Sequence, residues 1–101
     1  MFVFEDIITL DDVAIQRILR DVETKELALA LKGASEEVAN VIYKNQSKRA
    51  AASLKEDIEY LGPVRLTDVE KAQQQIVAVI RRLEDAQEII ISRGGEDALI
   101  M

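Results

Sequence analysis

Acid–base or metal chemistry in this chain would have to begin with its adjacent acids, Asp11-Asp12, Glu36-Glu37, Glu56-Asp57, Glu84-Asp85 and Glu96-Asp97. Neighbours on a helix point in directions about 100° apart, so no pair converges by itself on one proton or one cation. Acids such as Asp11-Asp12 and Glu36-Glu37 stand where a helix start favours negative charge for stability alone. The sequence has no histidine and no cysteine, which removes imidazole catalysis, thiolates, disulfides and the usual zinc ligands. Lys32-Gly33 and Gly94-Gly95 lack the glycine spacing and the Lys-Ser/Thr of a phosphate-binding loop. The inventory predicts no catalytic residue, no metal site and no cofactor.

The segment from Asn45 to Arg65 offers a different chemistry, a ridge of charge free to meet opposite charges elsewhere. On a helix, Ala51, Leu54, Ile58 and Leu61 fall on one flank and Arg49, Ser53, Glu56 and Tyr60 on the other. A charged face is usually only a solvated one. Here the order is unusual: Lys48 and Arg49 stand at the N-terminal end, and Glu56, Asp57 and Glu59 at the C-terminal end. The helix dipole disfavours each by roughly a few tenths of a kcal/mol, so an outside partner is the better explanation. Arg49 and Glu56 are two turns apart, roughly 10 Å along the axis, too far to pair with each other. Lys55 and Glu59 have the spacing of an ion pair, in the weaker orientation. Ala50, Ala51 and Ala52 keep this stretch thin enough for another helix to approach, and equally serve helix propensity.

The elements that must position this ridge follow from composition and punctuation. A chain of 101 residues suits one domain. Apolar residues make up 49% and aromatics only 4%, so the core is aliphatic and the fold class all-α. The net charge of -6 disfavours nucleic acid and anionic membrane surfaces as partners. No apolar run reaches the ~20 residues that span a bilayer, and Met1-Phe2-Val3-Phe4 runs straight into acids, unlike a secretory signal. The chain is therefore expected to be soluble, with any membrane association made through a partner.

Phe4 to Ile7 predicts a short first turn, and Asp11 or Asp12 caps a helix with Val13, Ile15, Ile18 and Leu19 as its apolar positions. Thr24 is expected to cap the next helix and Gly33 to end it in a left-handed conformation. Ser35 opens a helix with a Val38, Val41 and Ile42 stripe, Ser47 or Asn45 opens the ridge helix, and Gly62-Pro63 stops it. Thr67-Asp68-Val69-Glu70 reads as a capping box for the longest helix. Its apolar positions, Val69, Ala72, Ile76, Val79, Ile80, Leu83 and Ala86, carry it to about Ile89. Ile89-Ile90-Ile91 fits either a last buried turn or a short extended piece. The whole reads as a compact bundle of about six helices, armadillo-like, with a long C-terminal spine helix. Residues 1–4 lead into the first turn, 5–93 form the helical domain and 94–101 a tail.

Several motifs, in this order and spacing, resemble the C-terminal domain of the flagellar motor switch protein FliG. They are Met1-Phe2-Val3-Phe4, Leu31-Lys32-Gly33-Ala34, Ser47-Lys48-Arg49-Ala50-Ala51, Gly62-Pro63-Val64-Arg65-Leu66, Arg81-Arg82-Leu83 and Arg93-Gly94-Gly95-Glu96-Asp97. The resemblance implies a six-helix rotor domain that generates torque through charge contacts with the cytoplasmic loop of a MotA-type stator. It implies stator-binding roles for Lys32, Arg49, Glu56, Asp57 and Arg65, and a hinge at Met1, Phe2, Val3 and Phe4 that moves when rotation sense switches. It further implies neighbouring FliG subunits as partners, and FliM, FliN and FliF through the rest of a longer chain. The location implied is the flagellar basal body at the cytoplasmic face of the bacterial inner membrane. Two residues depart from the family pattern: Glu56-Asp57 stands for a pair of aspartates, and Gln46 for a methionine ahead of the ridge helix.

Two other readings compete. A generic helical docking domain would bind a second helical module through an apolar surface near Phe2, Phe4 and the long helix, and that contact would survive high salt. A cytosolic gating domain of a magnesium transporter would need clustered acids for divalent ions, which the spacing does not supply.

Overall fold

The computed structural model describes residues 1–91, and every regular element among them is helical. A 3-10 helix, Phe4–Thr9, comes first; then follow α1 (Asp12–Arg20), α2 (Thr24–Lys32), α3 (Glu36–Lys44), α4 (Lys48–Tyr60) and α5 (Leu66–Asp85). Short polar side chains set three of the starts. Asp11 accepts the Ala14 N–H at 2.8 Å, Ser35 the Val38 N–H at 3.3 Å and Ser47 the Ala50 N–H at 3.1 Å. Each satisfies a backbone donor that the first turn leaves without an intrahelical partner. Gly62, at φ 60, turns the chain out of α4 ahead of Pro63.

Two expected caps are displaced. Thr24 is the first residue of α2 and Glu23 takes the flanking position with no side-chain cap; likewise α5 begins at Leu66, after Arg65, so Thr67 lies inside the helix and forms no capping box. The Arg65 carbonyl already accepts from the Asp68 and Val69 N–H groups, which leaves the Thr67 hydroxyl nothing to cap. Gly33 is not left-handed: its φ is -110. Its missing side chain serves a close approach instead, because a Cβ there would lie 2.7 Å from Val69 Cγ1. Val13 is 76% exposed, and Ala14 faces the core in its place.

The long helix ends at Asp85, short of the predicted Ile89. Gln87 adopts φ 61, the Gln87 N–H donates to the Glu84 carbonyl at 2.9 Å and the Glu88 N–H to that of Leu83 at 2.9 Å, a Schellman closure. The cause lies just beyond: Ile89 and Ile91 are buried while Ile90 is 84% exposed. Residues two apart share a side only in extended chain, so a continuing helix would have buried one of the pair and not both. Arg17 fixes this segment by donating from Nε and Nη2 to Glu88 Oε1 at 3.0 and 2.7 Å. The predicted tail, 94–101, and the end of the predicted 5–93 domain lie outside the described residues.

α2 is the central element, packed against α5 on one side and α4 on the other, while the 3-10 helix packs on α3 and α5. The core is aliphatic apart from Phe4, with Ile15, Val38, Leu54, Ile76, Ile80 and Leu83 fully enclosed. Among the described residues no polar or charged residue is buried, and no helix is long and apolar enough to cross a membrane.

Candidate functional site

α4 owes its orientation to its apolar flank. Leu54 is buried, Ile58 and Leu61 pack against the core, and the opposite line of Arg49, Ser53, Glu56 and Tyr60 is exposed along its length. The helix has no acid in its first turn and no base in its last. Among the described residues Lys48, Arg49, Glu56, Asp57 and Glu59 make no ion pair or side-chain hydrogen bond; the ion pairs present join α1, α3, α5 and the Glu88 segment. The charges on α4 therefore oppose their helix dipole and have no ion-pair partner within the fold. Lys55 does not pair with Glu59: its Nζ sits 4.8 Å from the centroid of the Tyr43 ring on α3.

The residues singled out in the sequence fall into three places. Arg49, Glu56 and Asp57 share the α4 ridge, spaced along it and too far apart at its ends to neutralise one another. Lys32 closes α2 and reaches α4, where its Nζ donates to the Ile58 carbonyl at 3.3 Å. That carbonyl lies in the last turn of α4, where no intrahelical donor follows, so the ammonium complements the negative end of the helix. Arg65 stands apart, just before α5, in a cleft of about 580 Å3 with Glu23, Lys25, Glu26, Leu29 and Asp68. Burial, and then the neighbouring Glu23, hold the Glu26 carboxyl above its usual range.

Sequence reasoning passed over a second cleft, of about 420 Å3, where the N-terminal half of α2 meets the end of α4. Thr24, Lys25, Ala28, Asp57, Tyr60 and Leu61 line it. The Asp57, Tyr60 and Leu61 spacing, three and four residues, was the available signal. On another face, Met1, Phe2, Val3 and Phe4 form a groove of about 760 Å3 with Gln74, Val77, Ala78 and Arg81 of α5. Phe4 is buried at its base and Met1 is almost fully exposed at its end. No group of acids among the described residues could hold a metal ion.

Fold and site together define a small all-helical domain whose exposed chemistry is fixed charge on one helix and an apolar groove on another. Residues 1–91 match the model of the FliG C-terminal domain, and the chain belongs to that family. It is 65% identical over 101 residues to the flagellar motor switch protein FliG of Thermotoga maritima and 56% identical to that of Bacillus subtilis. Each match covers 100% of this chain and 30% of the relative, so the chain spans under a third of their length. The crystal structure of residues 116–343 of FliG from Helicobacter pylori superposes with a TM-score of 0.87 at 39% identity, covering 88% of this chain and 39% of that one. Full-length FliG from Aquifex aeolicus gives 0.82 at 47% identity, covering 84% and 26%.

Proposed function

We propose that this domain is the stator-facing part of a flagellar rotor, mechanical rather than catalytic, and that α4 is its contact surface. The observation that carries the reading is the run of unpaired charges on α4, basic to acidic, against the helix dipole. Stator charges on a MotA-type cytoplasmic loop pass along the ridge and exchange partners, and the ion flow through the stator supplies the energy. An exposed ion pair contributes only about 0–1 kcal/mol, which suits a fast and distributed contact better than a tight complex. In this reading Lys32, Arg49, Glu56, Asp57 and Arg65 all bind the stator, Arg49, Glu56 and Asp57 from the ridge itself and Lys32 and Arg65 from beside it. Met1, Phe2, Val3 and Phe4 form the hinge to a preceding module, about which the helical domain moves when the rotation sense switches. Neighbouring FliG subunits are further partners, and FliM, FliN and FliF are engaged through the rest of the longer protein, at the cytoplasmic face of the inner membrane.

The test is complementation by the full-length protein in a switch-protein-null strain. Arg49→Glu, Glu56→Lys and Asp57→Lys together are expected to leave filaments assembled but not rotating, whereas Arg49→Ala alone leaves swimming only slightly impaired. Normal swimming of the triple variant would reduce the ridge to a solvated face and shift attention to the groove beside Met1 and Phe4. Paralysis by Arg49→Ala alone would refute distributed contacts.

A further inference from the structure

We infer that residues 86–91 form a strap with two registers: closed on α1 through Arg17, as here, or helical as a continuation of α5, which carries the Glu88 carboxylate from Arg17 to the groove beside Phe2. The sequence holds a burial pattern for each. Val69, Ile76 and Leu83 are buried at seven-residue steps along α5, and the next step is Ile90, which is 84% exposed. Ile89 and Ile91 are buried in its stead. The extended register thus encloses Ile89, where a helical one turns Ile90 inward and Ile89 out. The stop between the two is weak. Gln87 sits at φ 61, a left-handed conformation that disfavours an L side chain by an equilibrium factor of about 5–30. Helices that end this way usually do so on glycine, and residues 86–91 contain neither glycine nor proline to break a helix.

Besides the buried isoleucines, the closed register is held by a clasp. Arg17 donates to Glu88 at 3.0 and 2.7 Å and to Asp21 at 3.1 Å, and Asp21 also accepts from Arg82 of α5 at 3.2 Å. All four side chains are at least 25% exposed, which keeps such pairs weak. The two registers send Glu88 to different places. On a continued helix it falls in line with Arg81, two turns back, and beside Asp85, and both of these line the groove with Met1, Phe2 and Val77. It also falls about 120° round the helix from Arg82, the residue that meets α1 through Asp21. Arg17 and the groove therefore compete for one carboxylate, and the strap couples α1 to residues 1–4: whatever favours one site works against the other.

NMR of the protein reads the register through the Cα shifts of residues 86–91, and the groove through the Phe2 ring and the Val77 methyls. In the unaltered chain, relaxation dispersion at Ile89 and Ile90 is expected to reveal a helical minor state of about 0.1–10%. Gln87→Ile puts a β-branched residue where the closed register needs a left-handed one, and an apolar side chain seven residues past Ile80. The helical population is expected to rise about tenfold or more, with the Phe2 and Val77 signals shifting in proportion. Gln87→Gly is expected to lower it about threefold to tenfold and to raise Tm. Gln87 is exposed, so neither change disturbs the core. Helical shifts through Ile90 when Gln87→Ile is combined with Arg17→Gln would support the inference. Coil-like shifts at 86–91 in that double variant, a left-handed conformation kept at position 87 in Gln87→Ile, or a lengthened helix that leaves Phe2 and Val77 unmoved would each overturn it.

Discussion

Replacing Gly33 by alanine tests how α2 is held against α5. At φ -110 the backbone of Gly33 is open to any residue, so on conformational grounds alone the substitution should stabilise by about 0.4–1 kcal/mol through the unfolded state. Space argues the other way. The new methyl would lie 2.7 Å from Val69 Cγ1, and Val69 is 4% exposed on α5. A β-branched residue in a helix has one strongly preferred rotamer, so the valine cannot simply turn aside. Overpacking of this kind costs about 1–3 kcal/mol, and the net expectation is a loss of roughly 1–2 kcal/mol. Val69→Ala should remove the clash while opening a gap of its own. Urea denaturation of the two single variants and the double variant closes a double-mutant cycle, and the double variant should be more stable than the sum of the singles by about 1–2 kcal/mol. Additivity within about 0.5 kcal/mol would return Gly33 to a purely conformational role.

Lys32→Met should remove the cation from the end of α4, cost about 0.3–1 kcal/mol, and quicken amide exchange at Leu61 and Gly62 while Ala50 and Ala51 are unaffected. Glu26 has its carboxyl pKa raised above 4.5 by burial and by Glu23, so its ionisation opposes folding. The stability it allows is full below its unfolded pKa and is lost as pH rises through the folded one. Glu26→Gln should therefore stabilise at neutral pH and have no effect below about pH 4, read by denaturation at both. Gln46 Oε1 is enclosed with no hydrogen-bond partner among the described residues, and Gln46→Met should raise stability by about 1 kcal/mol in the same assay. Arg17→Gln removes the donors to Glu88 and Asp21, and faster amide exchange confined to residues 88–91 would show that the clasp holds that segment.

The legible parts of this fold were those governed by local rules. Asp11, Ser35 and Ser47 cap because each immediately precedes an apolar-periodic run, and Val69, Ala72, Ile76, Ile80 and Leu83 are buried at the spacing the long helix requires. The failures at Gly33 and at the end of α5 share a cause: tertiary contacts took residues that local rules had assigned elsewhere. Gly33 is needed for its lack of a side chain against Val69, and the burial of both Ile89 and Ile91 ends α5 early on a glutamine in place of a glycine. The ridge was legible because charge order against the dipole can be counted along one helix. The cleft beside Asp57 was not, because half of it comes from α2, and nothing in the sequence sets Ala28 beside Tyr60.

Weak pairs on the ridge raise the question of how a load on α4 would leave the domain. Leu54 anchors α4 in the core, but the helix lies near one edge and meets the spine α5 by way of α2. α2 is tied to both: Lys32 holds the Ile58 carbonyl of α4, and the Ala30 carbonyl accepts from Gln73 Nε2 of α5 at 3.0 Å. Beside them Gly33 lets α2 approach Val69 closely. α5 in turn packs on the 3-10 helix, which holds Phe4 in the core at the opening of the chain. On the proposed function this is a path of close-packed contacts from ridge to hinge, and close packing transmits displacement with little compression. A variant with intact ridge charges but a strained contact between α2 and α5, such as Gly33→Ala, should then lose torque under load before it loses rotation at no load. Loss of both together, in step with ridge reversals, would mean that the charges alone limit the motor.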